Sequence, residues 1–452
     1  MKLSLTDFRA FASTGALEVR PLTFLVGENS SGKTSFLAAL SYIWRFQERM
    51  LSASFNLPPF DLGTFDEIVH RVRGRTRPDT FTLEIENQIS IDPRRSPIFF
   101  SRGEIERSSG LANLCLTFTS NVGDAVIKKL ELTYGDYSLQ VYVDQKIRVI
   151  AKKCDEIAFD SNEGQEQLKF DQRIGRLEKL DMSDMLFFLR RMVRDRAGAK
   201  EEVSTDVERA LSLTSMALEQ LTQTFPRAIF ACAPVRSNPS RVYTPTDQIR
   251  SPDGNHTPQT LFKIKESDEG RWLKIKAGLE EFGRLSGMFS AINVARYRTS
   301  GSSPFQINVT RKGKQSNIVD VGYGVSQALP ILTDLIESPP RSGFLFQQPE
   351  VHLHPQAQAA LGSFFVEYLE RSRGSTIIAE THSDYLIDRV RLCVQKKQIR
   401  SNDVAILYFE SVGTGTQVRQ IKIDEEGNMI NTPYGYRDFF VKEQMDLLGL
   451  SD

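Results

Sequence analysis

The sequence predicts an α/β fold: a largely parallel sheet with helices, an attached antiparallel β region, and a helical insertion. Three observations predict it. An apolar strand, Leu22 to Val26, runs into a glycine-rich turn, Gly27 to Thr34, and then into the apolar helix Ser35 to Leu40. From about Thr80 to Phe159 apolar and polar residues alternate with period two, which is the pattern of half-buried strands. From about Phe305 strand-like and helix-like segments alternate again, which argues for parallel strands with helical crossovers.

Residues 1 to 45 read as strand, turn, strand, glycine-rich loop and helix, with Phe8, Phe11, Leu17 and Val19 as core positions. Pro58, Pro59 and Gly63 mark loops, and Gly135-Asp136 is a hairpin turn between two alternating runs. Residues 168 to 196 and 204 to 225 have helical patterns. Thr205 and Glu208 are spaced as a capping box, and Val207, Leu211, Leu218 and Leu221 share one face. The segment 234 to 258 is rich in Pro, Ser, Asn and Asp and long for an internal loop. One helix is expected over Leu261 to Ser286. Later come a strand FQINVT, a helix from Ser326 to Glu337 ending before Pro339-Pro340, and a buried strand GFLFQQ. A helix from Pro355 to Arg371, a strand Ser375 to Glu380, a helix Ser383 to Lys397 and a strand Val404 to Glu410 follow.

The turn GENSSGKT fits G-x-x-x-x-G-K-[ST] without a mismatch, in the strand–loop–helix context that a phosphate-cradling loop needs. Glycines let the backbone curl so that successive N–H groups face phosphate oxygens, and the helix N-terminus adds its positive end. Gly27, Glu28, Asn29, Ser30, Ser31, Gly32, Lys33, Thr34 and Ser35 are therefore nucleotide-binding candidates. Lys33 neutralises the β- and γ-phosphates of a nucleoside triphosphate, and Thr34 offers its hydroxyl to Mg²⁺.

Further candidates lie in the C-terminal half. In DVGYGVSQALPIL, Gly322 and Gly324 precede Ser326 at the start of a helix, a second anion-binding terminus. The strand Phe344 to Gln348 ends in PEVHLHP, and the strand Thr376 to Ala379 ends in Glu380-Thr381-His382-Ser383-Asp384. A histidine just past a strand end can reach a γ-phosphate or an attacking water.

The order of phosphate loop, glycine/serine signature, strand with PExHLHP and strand with ETHSD resembles the heads of ABC-type ATPases. Among these it is most similar to the RecF, SMC and overcoming-lysogenization-defect (OLD) group, over about residues 1–45 and 318–390. The resemblance implies a P-loop ABC-type head. The change of pattern marks off a helical insertion with a long loop over 165–300, between an N-terminal lobe over 1–164 and a C-terminal lobe over 301–452, which the resemblance makes ATPase lobes. The resemblance also implies head-to-tail dimerisation around ATP and Mg²⁺. Lys33 and Thr34 of one copy then face Gly324 and Ser326 of the other, HLHP lines the seam, and His382 is the switch histidine. Such families end this strand in two acidic residues, whereas here Gln347 and Gln348 occupy those positions. An amide oxygen can accept from a Mg²⁺-bound water but brings no charge and takes no proton. Gln347 is thus expected beside the metal with Thr34, and Gln348, Glu350, His382 and Glu380 form the catalytic set, with slow hydrolysis. Gly322 stands where the signature often has serine.

The resemblance further implies a prokaryotic defence-type ATPase without a TOPRIM nuclease, since only 68 residues follow ETHSD. Any cutting or toxic activity is then expected from a separate effector chain. The alternative is a RecF-like DNA-binding ATPase of repair or recombination, which leaves nucleic acid open as a partner; a transporter subunit ranks below both. Lys+Arg and Asp+Glu both total 57, so no global charge pulls the chain toward nucleic acid. Arg190, Arg191, Arg194, Arg196 and Lys200 form a basic run whose simpler reading is a solvated helix face. Arg236 and Arg241 can contact nucleotide or a partner, or pin their loop. Asp320 is read as structural. His352 and His354 have H-x-H spacing but no third ligand nearby in sequence. The four cysteines are scattered, and no signal-peptide core or membrane-length apolar run occurs, so a reducing cytoplasm is expected.

Overall fold

In a computed structural model, described for residues 1–46, 54–72, 74, 76–92, 107–143, 147–160, 205–297, 303–413, 415–433, 436 and 445–446, the alternating segments form three sheets. The strands are β1 (Lys2–Phe8), β2 (Phe11–Ser13), β3 (Leu17–Glu18), β4 (Leu22–Gly27), β5 (Phe81–Ile91), β6 (Ser108–Asn121) and β7 (Asp124–Tyr134). Then come β8 (Tyr137–Val143), β9 (Ile147–Lys153), β10 (Glu156–Asp160), β11 (Ala228–Cys232), β12 (Ala291–Arg296), β13 (Phe305–Arg311) and β14 (Lys314–Asn317). The last are β15 (Ser342–Gln347), β16 (Thr376–Glu380), β17 (Val404–Val412), β18 (Gly415–Ile423) and β19 (Met429–Ile430). The helices are α1 (Lys33–Arg45), α2 (Phe65–Ile68), α3 (Thr205–Gln223), α4 (Thr257–Ser267), α5 (Glu269–Ser286), α6 (Gly324–Glu337), α7 (Pro355–Arg371) and α8 (Asp384–Gln395). The chain divides into two units. One comprises Met1–Val19, Ser35–Phe225 and Ser411–Gln417; the other comprises Arg20–Thr34, Pro226–Glu410 and Val418–Asp452.

The first unit is built on an antiparallel sheet ordered β10-β9-β8-β7-β6-β5-β1-β2, with β3 on β1. Period-two burial is clear in β6, where Ala112, Leu114, Leu116 and Phe118 face inward. The β7–β8 hairpin turns at Gly135, whose φ of 58° suits glycine, with Tyr134 opposite Tyr137. Phe8, Phe55, Phe81 and Phe118 form an aromatic cluster in which Phe81 and Phe118 stack at 4.7 Å. α3 lies across β5 to β10, burying Leu211, Met216, Leu218 and Leu221. The expected capping box at Thr205 and Glu208, and Val207, lie outside the described side chains; the basic run 190–200 and the helix expected over 168–196 lie outside the described residues.

The second unit holds a sheet ordered β11-β15-β16-β4-β17-β18-β19, parallel from β11 to β17. Its central strands are near-continuous apolar runs, as buried parallel strands are: β15 is buried at every residue. A small sheet, β12-β13-β14, leads through a 3-10 turn, Ile318–Asp320, into α6. The helix expected over Leu261 to Ser286 is two helices, α4 and α5. Asp268 causes the break: it ends α4 in extended geometry, and its carboxylate accepts from the Arg271 N–H to cap α5. The loop from 234 to 256 is pinned through a Tyr243–Phe305 bridge, a Ser237–Asp253 backbone bond and the Arg250–Asp334 ion pair at 2.9 Å. The α/β architecture expected from the sequence, a parallel sheet plus an antiparallel β region, is the one that forms.

Phe118→Ala should remove about 3–5 kcal/mol from the stability of the antiparallel unit, because it opens a cavity in a fully buried stack. Urea denaturation, with hydrogen exchange in β5 to β7 to localise the loss, reads the effect.

Candidate functional site

β4 pairs in parallel register with β16 on one side and β17 on the other, Leu25 opposite Glu380 and Gly27 opposite Phe409. The carboxyl ends of neighbouring parallel strands therefore meet at one edge, where open α/β sheets place their ligands. Gly27 has φ of 128°, and a Cβ there would lie 2.0 Å from the Phe409 carbonyl oxygen, so only glycine fits. Ser30 and Gly32 also have positive φ, 61° and 94°. This alternation curls the loop into a concave backbone suited to an anion. Lys33 is 3% exposed; its Nζ donates to the Gly27 and Glu28 carbonyls at 3.1 and 2.5 Å. Burial lowers its pKa, opposed by the charges of Glu380 and Glu28. Ser31 closes the turn by donating to the Glu28 carbonyl at 2.7 Å. Asn29 belongs to the same turn, and Ser35 is buried on α1. A triphosphate fits this loop: the ammonium sits where the backbone curls around an anion. For Mg²⁺, the Thr34 hydroxyl and the Glu380 carboxylate stand 2.9 Å apart, both hard oxygen donors.

Glu380 links Thr34 to Lys33, whose Nζ lies 4.0 Å from its other oxygen. Burial raises the Glu380 pKa, against the Thr34 hydrogen bond and the Lys33 charge. Gln347 is paired with Glu380 across β15 and β16 and is buried. The carboxylate nearest this strand end thus stands on the adjacent strand. Gln348 turns the chain with φ of 44° and donates its N–H to the Glu380 carbonyl at 2.8 Å. That turn carries Glu350 inward to 6% exposure, where one oxygen accepts the His382 N–H at 2.8 Å. Burial raises the Glu350 pKa, and the hydrogen bond from His382 opposes it. His382 follows β16 on the exposed side; partial burial and then the Lys33 charge hold its pKa below the ordinary value. Ser383 caps α8, accepting the Leu386 N–H at 3.1 Å.

The signature segment packs on the HLHP turn. A Cβ on Gly324 would lie 2.8 Å from the His352 carbonyl oxygen, and Tyr323 meets the His352 ring edge-on at 5.0 Å. Ser326 donates to the Tyr323 carbonyl at 2.7 Å. A Cβ on Gly322 would meet nothing within 4 Å, so that position has room for a side chain. His354 caps α7 with Nδ1 toward the Gln356 N–H, and no group of three His, Cys, Asp or Glu among the described residues is placed to hold a metal. Asp320 is exposed and paired with Arg241, at 2.8 and 2.5 Å. Arg236 is the residue whose part the sequence left open. It is buried and donates to the Gln348 and Gln327 carbonyls. A basic residue in a Pro- and Ser-rich loop was the only signal.

Residues 201–388, less than half of the chain, match the family model described as AAA domain, putative AbiEii toxin, Type IV TA system. The phosphate-loop motif of 27–34 lies outside the matched segment. No curated protein matches the chain. Similar solved structures include an Smc head bound to the C-winged helix domain of ScpA, with 11% identity and TM-score 0.42 over 94% of this chain and 98% of that one. The Smc head with an extended coiled coil bound to the C-terminal domain of ScpA, from Pyrococcus furiosus, has 12% identity and TM-score 0.39, over 99% and 98%. The SMC head from Thermotoga maritima has 10% identity and TM-score 0.35, over 93% and 98%. No helix among the described residues is long and apolar enough to cross a membrane.

Glu350 has a raised folded pKa, so the folded chain holds this proton more tightly than the unfolded chain does. Its contribution to stability is full at and below the ordinary glutamate range, about pH 4, and is lost as pH rises through the raised folded value. Glu350→Gln removes that loss and keeps an acceptor for His382. It should stabilise the chain by on the order of 1 kcal/mol at pH 8 and by little at pH 4.5, as read by urea midpoints.

Proposed function

We propose that the chain is an ABC-type ATPase whose two copies close head-to-tail around ATP and whose ATP-bound state regulates a separate effector, a nuclease or toxin, in prokaryotic anti-phage defence. The observation that carries the nucleotide part is Lys33 tucked into a loop with three positive-φ residues, its ammonium against Glu380. The sequence resemblance to OLD-like ATPases supports the defence setting, and so does the matched family description, which names a putative toxin and a type IV TA system.

Within one copy, Lys33 and the loop amides bind the phosphates. Thr34 and Glu380 would hold Mg²⁺, with Gln347 beside them. Bound Mg²⁺ supplies positive charge to the phosphate oxygens during transfer. Glu350, ionised, accepts a proton from the attacking water, which Gln348 helps to orient, and His382 senses the γ-phosphate. Gly324 and Ser326 meet the γ-phosphate of the other copy's nucleotide. The neutral amides at 347 and 348 leave the chain with one carboxylate committed to Thr34 and Lys33 and another that is buried. Hydrolysis is therefore slow, and the ATP-bound dimer is long-lived.

Sedimentation velocity should show a dimer with ATP and Mg²⁺, and a monomer with ADP or with Lys33→Ala. Single-turnover hydrolysis should stay below about 1 s⁻¹, against a typical enzyme scale of about 10 s⁻¹. ATP-independent association refutes the gating, and a faster rate refutes the slow cycle. Copurification of a nuclease or toxin tests the effector.

A further inference from the structure

We infer that Arg236 is a positioning residue that locks the catalytic turn at Gln348–Glu350 to the signature helix α6, so that the two move as one body. Its guanidinium spans three elements. Nε points to the Cys232 sulfur at the end of β11 at 3.3 Å, Nη1 donates to the Gln327 carbonyl in α6 at 3.2 Å, and Nη2 donates to the Gln348 carbonyl at 2.9 Å. The Gln348 carbonyl belongs to a residue held at φ 44°, a backbone state that a non-glycine residue keeps only when its surroundings enforce it. The planar fork gives two donors in fixed relative geometry, which a lysine ammonium does not reproduce. A second strap runs parallel to it: the Tyr323 hydroxyl donates to the Arg236 carbonyl at 3.4 Å and to Asn238 at 2.7 Å. Arg236 is 3% exposed, so its charge is placed at a cost that three partners offset.

The consequence rests on the proposed dimer reading. α6 carries Gly324 and Ser326, which face the partner's nucleotide in that reading, while Gln348 and Glu350 face the chain's own. A rigid link between them makes each copy report its own nucleotide state to the site it completes in the other copy.

Hydrogen exchange on the nucleotide-free chain tests the link independently of that reading. Arg236→Lys should raise amide exchange about tenfold or more in 324–328 and 348–353 together, with β5 to β8 unchanged. Cys232→Ala, which removes only the third partner, should leave both segments slow. A rise confined to 233–240, or none, overturns the inference. The second arm measures function: Arg236→Lys should bind a fluorescent ATP analogue within about threefold of the parent but lose ATP-dependent dimerisation about tenfold. Parallel loss of both overturns the coupling. A parent chain that binds no nucleotide refutes the proposed function, while the exchange result still decides the link.

Discussion

The in-register parallel pairing of β4 between β16 and β17 is the constraint on which the rest of the nucleotide end depends. It sets Gly27 against the Phe409 carbonyl so closely that no side chain fits, and it delivers Glu380 to the edge where Lys33 and Thr34 emerge. A one-residue slip would turn alternate side chains to the other face and remove the carboxylate from reach of the ammonium. In this register Leu22, Phe24, Phe344, Phe346, Ile377 and Ala379 join one buried core.

Charge at this edge is arranged unusually for a site that must meet a polyanion and a cation. Amides end β15, and the carboxylates stand to either side, Glu380 on the neighbouring strand and Glu350 beyond a left-handed turn. Both have raised pKa values because burial dominates their surroundings, and each keeps one strong hydrogen-bond donor. Desolvation of this kind makes a carboxylate a better proton acceptor once ionised and a costlier group to hold ionised. The same burial thus sets both the basicity of these carboxylates and the cost of ionising them.

The signature segment and the HLHP turn are joined by close contacts. Gly324 abuts the His352 carbonyl, Tyr323 lies against the imidazole edge, and His354 is spent as a helix cap. The two histidines of the H-x-H spacing thus serve packing and capping here.

Much of the fold was legible in local pattern. Period-two alternation found β5 to β8, the phosphate-loop motif found β4 and α1, and Pro339-Pro340 stopped α6 where the helix ends. These signals are local because they report one residue's exposure or one backbone angle. The break at Asp268 was missed because a capping aspartate inside a helical pattern looks like any polar surface residue until its partner N–H is placed. The sequence by itself determined the loop chemistry, the residue types at 347, 348 and 350, and the sheet that carries them. Only the tertiary structure decided that Glu380 reaches Thr34 and Lys33, that Glu350 is buried, and that Arg236 bridges Gln348 and Gln327. The reason is physical: each of these contacts joins strand ends or helix turns far apart in the chain, and strand order and register, which no local pattern encodes, bring them within hydrogen-bond distance.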